Sequence, residues 1–150
     1  MMHGLNRILL VDDSPRDLEL AMAALEAHNL ANEVVALRDG AEALDYLYRR
    51  GPFANRPAGD PVVVLLDLKM PKVDGIEVLR QIKSDPATKM IPVVVMTSSR
   101  EEQDLLNSYS LGVNAYVVKP VKFQDFVEAV KQVGAFWAVL NEPPPGGRDA

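Results

Sequence analysis

Four short runs, Ile8 to Val11, Val62 to Leu66, Val93 to Met96 and Ala115 to Val118, are apolar throughout, without polar alternation. A strand with one wet face alternates with a period of two, so these runs predict strands covered on both faces, as in a parallel sheet. Glu33 to Leu37 is a fifth, weaker candidate. Helical patterns separate the strands, and that alternation predicts an α/β domain with helices on both faces of the sheet. A length of 150 residues suits one domain with one core.

The helix starts are legible from local chemistry. Ser14 precedes Pro15, an N-cap followed by proline at the first helical position. Asp39 with Glu42, Asp74 with Glu77, and Ser99 with Glu102 have the spacing of a capping box. The expected order is β1-α1-β2-α2-β3-α3-β4-α4-β5-α5. In it α1 starts at Pro15, α2, α3 and α4 follow Asp39, Asp74 and Ser99, and α5 runs from about Lys122 to Leu140. Phe123, Phe126, Val127, Val130 and Trp137 recur at helical spacing and should face the core, whereas Phe136 and Leu140 fall off that stripe. Arg50 to Pro61, rich in proline and glycine, reads as a long surface loop without an element. Residues 141–150, carrying Pro143-Pro144-Pro145-Gly146-Gly147, read as a flexible tail after a domain spanning 1–140.

Composition removes several function classes. The formal charge is −5, which argues against a nucleic-acid surface. The chain has no cysteine, so disulfides, thiolate metal sites and cysteine nucleophiles are excluded. The start shows no signal-peptide pattern and no apolar run approaches the roughly 20 residues a membrane helix needs, so a cytoplasmic location is expected.

The polar residues at the strand ends carry the chemistry. Asp12 and Asp13 follow β1, Asp67 ends β3, Thr97 and Ser98 end β4, and Lys119 ends β5. In an open parallel sheet these carboxyl ends share one edge, where ligands bind. Carboxylates packed together raise one another's pKa unless a cation compensates, and hard oxygen ligands suit Mg²⁺. A lysine and a threonine hydroxyl suit phosphoryl oxygens. The set fits phosphoryl transfer, with Asp67 on a central strand as the carboxylate nucleophile. Taken singly, each residue has a plainer reading: Asp12 as a turn residue near Ser14, Thr97 as a β-branched strand end, Lys119 as a solvated lysine, Tyr116 as packing. Three strand-end carboxylates together need a common cause.

Asp12-Asp13, Asp67 within Leu65-Leu66-Asp67-Leu68-Lys69-Met70-Pro71, Asp74-Gly75, Thr97-Ser98 and Lys119-Pro120 resemble the signature of bacterial response-regulator receiver domains, from about Asn6 to Leu140. The resemblance implies a CheY-like, flavodoxin-like doubly wound fold with strand order 2-1-3-4-5. It implies that Asp67 accepts a phosphoryl group from a sensor histidine kinase. Asp13, Asp67 and the backbone carbonyl of Lys69 would ligate Mg²⁺, with Asp12 acting through a water. Lys119 and Thr97 would contact the phosphoryl group, Tyr116 would turn with Thr97, and the Lys119–Pro120 bond would be cis. The long α2–β3 loop, the Tyr116 to Pro120 stretch and the Phe136-Trp137 pair further resemble small regulators paired with bacterial phytochrome kinases. Phe136 and Leu140 are candidates for a homodimer or partner face on α4-β5-α5. The protein would not be an enzyme in the turnover sense, and this reading includes no DNA-binding output and no membrane partner.

Three other readings are weaker. A haloacid-dehalogenase-type phosphatase carries Asp-x-Asp after its first strand, where this chain has Asp12-Asp13-Ser14. A flavin carrier needs a hydroxyl-rich phosphate loop after β1, which Ser14-Pro15-Arg16 does not supply. A receiver-fold interaction module that signals without phosphorylation usually lacks an acidic residue or the lysine, and all are present here.

Overall fold

A computed structural model of the chain describes residues 7–26, 33–68, 70, 73–98, 115–135 and 139. Five parallel strands form one sheet in the order β2-β1-β3-β4-β5. They are β1 (Arg7–Val11), β2 (Glu33–Leu37), β3 (Val63–Asp67), β4 (Val93–Thr97) and β5 (Tyr116–Val118). The described helices are α1 (Pro15–Glu26), α2 (Gly40–Leu47), α3 (Gly75–Ser84) and α5 (Phe123–Gln132). The segment expected to form α4, with its Ser99 cap, lies outside the described residues, so α4 remains a sequence expectation.

The absence of alternation in the strands has the cause anticipated. Leu9, Val11, Val64, Leu66, Val93 and Val95 point to one side, onto Leu44 and Leu47 of α2 and Val78, Leu79 and Ile82 of α3. Ile8, Leu10, Val63, Leu65, Val94 and Met96 point to the other, onto Leu18, Ala21 and Leu25 of α1 and Phe126, Ala129 and Val130 of α5. In β1, β3 and β4 neighbouring residues thus enter two separate apolar layers and both faces leave water, whereas on β5 Val118 is 51% exposed, so the expected cover on both faces does not extend to that strand. Among the described residues no helix is long and apolar enough to cross a membrane.

The caps form as the spacing predicts. The Ser14 hydroxyl accepts from the Asp17 N–H at 3.2 Å, Asp39 accepts from Glu42 N–H at 2.8 Å, and Asp74 accepts from Glu77 N–H at 3.0 Å. The Glu42 carboxylate reaches back to the Arg38 N–H at 2.8 Å, closing the box one residue earlier than the standard pattern.

Several bounds differ from the sequence reading: β1 starts at Arg7, β4 ends at Thr97 and β5 starts at Tyr116, each one residue away from the expected limit. β3 starts at Val63 and includes Asp67, because Asp67 still pairs with Met96 on β4. The Arg50–Pro61 stretch holds a single 3-10 turn, Gly51–Phe53, and is pinned by arginines. Arg56 donates from Nε to Tyr46 O at 2.7 Å, satisfying the end of α2, and from Nη1 to Pro57 O and Gly59 O. Arg7 donates to Gly59 O as well, at 3.1 Å. Lastly, α5 does not run unbroken from Lys122 toward Leu140. It stops at Gln132, where Gly134 takes φ +77° and Ala135 N–H returns to Val130 O at 2.8 Å. That is the glycine-stopped C-terminus the expectation overlooked. Val139 beyond the stop is helical again, its N–H bonded to Ala135 O at 3.0 Å, and is buried in the α1/α5 layer. Phe136, Trp137, Leu140 and the tail 141–150 lie outside the described residues, as do His3 and His28.

Candidate functional site

β1, β3 and β5 end at the same edge of the sheet, and each delivers a charged side chain there, Asp67 from the last residue of β3 and Asp12 and Lys119 from the residues just after β1 and β5. Asp12 continues β1 for one residue, its N–H bonded to Leu37 O on β2 at 3.0 Å. Lys119 continues β5 likewise, its N–H bonded to Thr97 O on β4 at 2.9 Å. These extra rungs fix where the two side chains start. The Lys119–Pro120 bond is cis, as the resemblance implied.

Lys119 is the hub. Its Nζ lies 2.7 Å from Asp12 Oδ2, 3.1 Å from Asp67 Oδ1 and 3.0 Å from Asp17 Oδ2. The structure therefore joins Asp12, Asp67 and Lys119 in one basin, and carboxylate oxygens of Asp12, Asp13 and Asp67 all lie within 4.8 Å of one another. Thr97, fully buried, ends the strand between Asp67 and Lys119. Tyr116 is partly buried against the α2/α3 layer. Lys69, whose carbonyl was assigned to the metal, lies outside the described residues.

Both readings of Asp12 hold at once. Its Oδ1 accepts the Ser14 N–H at 3.0 Å, the turn role expected of an isolated aspartate, while its Oδ2 faces the ammonium. Oδ2 is buried, with the Lys119 ammonium at 2.7 Å as its charged partner. A carboxylate oxygen has lone-pair capacity beyond that one contact, which a cation can use. Burial pushes the Asp67 carboxyl up from 3.8 to about 6, the Asp12 charge adds to this, and Lys119 opposes it. For Lys119 burial works against the charged form, but Asp12, Asp17 and Asp67 outweigh it and hold the ammonium above its ordinary 10.5.

Among the described residues, the hard oxygens of three aspartates outnumber the one ammonium beside them, a set that fits a divalent cation with oxygen preference. Asp12, Asp13 and Asp67 are the residues placed to hold it.

The floor of the basin depends on a glycine. Gly75, first residue of α3, donates its N–H to Leu68 O at 2.8 Å, and a Cβ there would stand 2.1 Å from Asp67 O. Helix α3 thus packs onto the Asp67 backbone as only glycine allows. Gly75→Ala is expected to lose about 1–3 kcal/mol by denaturant melt, because backbone must move to admit the methyl.

The model for the response regulator receiver domain matches residues 8–131. The chain belongs to the response-regulator receiver family. A solved bacteriophytochrome response regulator, AtBRR, is 63% identical to this receiver, with a TM-score of 0.88 over 93% of this chain and 100% of that one. The response regulator Rcp1 of Synechocystis sp. is 42% identical over 87% of this chain and 87% of its own length. Its Mn²⁺-bound structure has a TM-score of 0.69, covering 88% of this receiver and 94% of that chain. The phosphorylated cyanobacterial phytochrome response regulator RcpA is 44% identical, with a TM-score of 0.71 over 90% and 95% of the two chains. This receiver is thus a response regulator homologous to phytochrome-associated regulators.

One residue of the basin was missed by sequence reading. Asp17 lies in the first turn of α1, where an acidic side chain also complements the helix dipole. The available signal was its place one helical turn after the Ser14 cap, which keeps it at the same sheet edge as Asp12.

Proposed function

We propose that Asp67 accepts a phosphoryl group from the phosphohistidine of a sensor kinase, and that the basin is built for this step. The observation that carries the reading is Lys119 Nζ held between Asp12 and Asp67, 2.7 and 3.1 Å away, beside a carboxylate set suited to a divalent cation. With a pKa of about 6, Asp67 is mostly ionised at neutral pH and can act as a nucleophile. A new O–P bond forms at its carboxylate as the P–N bond of the donor breaks, and the electron pair leaves on the imidazole. Lys119 and Thr97 hold phosphoryl oxygens, with Lys119 already charged and partly desolvated. The cation, read here as Mg²⁺ held by Asp12, Asp13, Asp67 and the Lys69 carbonyl, neutralises those oxygens when bound. The Mn²⁺-bound Rcp1 and phosphorylated RcpA structures support this reading.

Thr97 and Tyr116 then carry the change to the α4-β5-α5 surface, shifting an existing two-state equilibrium. The likeness to AtBRR and RcpA supports a phytochrome-type kinase as donor and a cytoplasmic setting. Phe136 and Leu140 are the residues proposed for a dimer or partner face. The protein serves as substrate and helper of its own modification, without turnover of a separate substrate. Incubation with Mg²⁺ and acetyl phosphate is expected to add one phosphoryl mass in intact-mass spectra. An adduct that persists in Asp67→Asn, or none on the wild type, overturns the assignment.

A further inference from the structure

Lys119 has three N–H donors and faces three carboxylates. To take a phosphoryl oxygen it must release one of them. Asp12 is fully buried, and releasing it would strand a charge in the interior. Asp67 carries the transferred group, so turning to that group keeps Lys119 at the same place. Asp17 is different: its side chain is 32% exposed, and water can replace the ammonium there. It contacts Lys119 with hydrogen-bond geometry at 3.0 Å from the partly exposed start of α1.

We propose that Asp17 is a positioning residue, holding the Lys119 ammonium toward the start of α1 at rest and surrendering it to the phosphoryl group on Asp67. Its backbone suits that role, because the Ser14 hydroxyl fixes the Asp17 N–H and the first turn of α1 independently of the carboxylate. The contact spans 102 residues of sequence and ties α1 to the end of β5. Phosphorylation therefore frees a carboxylate at the head of α1, a change separate from the Thr97–Tyr116 route. This inference rests on Lys119 engaging the phosphoryl group as proposed above.

The test is a charge cycle between Asp17 and Lys119. Asp17→Asn, Asp17→Ser and Asp17→Glu are each made in the wild type and in Lys119→Met. Two quantities are read: the rate of adduct formation from acetyl phosphate at saturating Mg²⁺, and Mg²⁺ affinity by calorimetry without donor. With Lys119 present, both neutral variants are expected to speed adduct formation by about fivefold, the upper range for one partly exposed ion pair. They are also expected to weaken Mg²⁺ binding, because Nζ then settles fully on Asp12 and Asp67. Asp17→Glu should restore both values, and in Lys119→Met neutralising Asp17 should change little. Neutral variants that match wild type in both readouts overturn the proposal. So do equal shifts in both backgrounds, which would make Asp17 a bare charge and not a partner of Lys119. Failure of the wild type to form the Asp67 adduct is a separate result and counts against the phosphotransfer reading itself.

Discussion

Lys119→Met is expected to slow adduct formation at Asp67 by about 10²-fold or more and to destabilise the metal-free fold by about 3–5 kcal/mol at neutral pH. Both effects have one origin. The ammonium lies within 3.1 Å of carboxylates on Asp12, Asp17 and Asp67, and two of those are buried. Deleting it leaves Asp12 and Asp67 facing each other across a dry edge. The Asp67 carboxyl, already held above its ordinary value, is pushed further up once the opposing ammonium is gone, so the deficit is largest at neutral pH. It shrinks as pH falls toward the ordinary carboxylate value of 3.8 and both states become protonated. In the wild type the sign is opposite for the lysine. Its raised pKa means that its stabilisation is complete below 10.5 and is lost only as pH climbs through the higher folded value. Urea melts at several pH values, with and without Mg²⁺, test this. Mg²⁺ should recover much of the lost stability, since a cation bound only to the folded state adds about 2.7 kcal/mol at a hundred times its Kd. A variant as stable as wild type at pH 7 without metal would mean that Lys119 does not neutralise the basin.

Asp67→Asn should abolish the adduct and, in metal-free buffer, make the protein more stable at pH 7. The gain follows from the upward displacement of the Asp67 carboxyl from 3.8 to about 6, caused first by burial and then by Asp12. A carboxylate harder to ionise in the fold than in the unfolded chain costs stability above its folded pKa. That cost is absent below about 3.8, grows between 3.8 and 6, and is complete above. The neutral amide removes it, for an expected gain of about 1–3 kcal/mol at pH 7. The two proteins should converge near pH 4. Saturating Mg²⁺ should reverse the order, because the cation stabilises the wild type through a ligand the variant has lost. Thermal melts across pH 4–8 in chelator provide the measurement, and a gain independent of pH would assign the effect to something other than charge.

The two variants pull in opposite directions although their side chains touch. One removes the compensation and the other removes the burden. A receiver that waits for a cation and a phosphoryl group must hold excess negative charge in its resting state. Asp12 Oδ2, fully buried and dependent on the Lys119 ammonium at 2.7 Å, shows the same tension in a single atom. The proposed sharing of Lys119 with Asp17 keeps the ammonium charged yet leaves it a partner that water can replace.

The chain's local pattern was sufficient for the five strands, the burial of β1, β3 and β4 on both faces and the three described N-caps, because period and capping are set by near neighbours. It was also sufficient to nominate Asp12, Asp67, Thr97 and Lys119, since each follows or ends a strand and parallel strands share an edge. Residue spacing could not reveal that Lys119 crosses to Asp12 and Asp17. That contact depends on how far the side chain reaches past β4, and on α1 returning its first turn to the same rim. The stop of α5 at Gly134 was written in the sequence but outvoted by apolar spacing that continued to Trp137. Arg56 looked like a loop charge until folding set it over Tyr46, 4.2 Å from the ring centre, and against the last carbonyls of α2. Short-range order is encoded residue by residue. The charge balance of the basin came into being only when burial removed water from groups distant in the chain, because electrostatic energies depend on distance and solvent access and not on sequence separation.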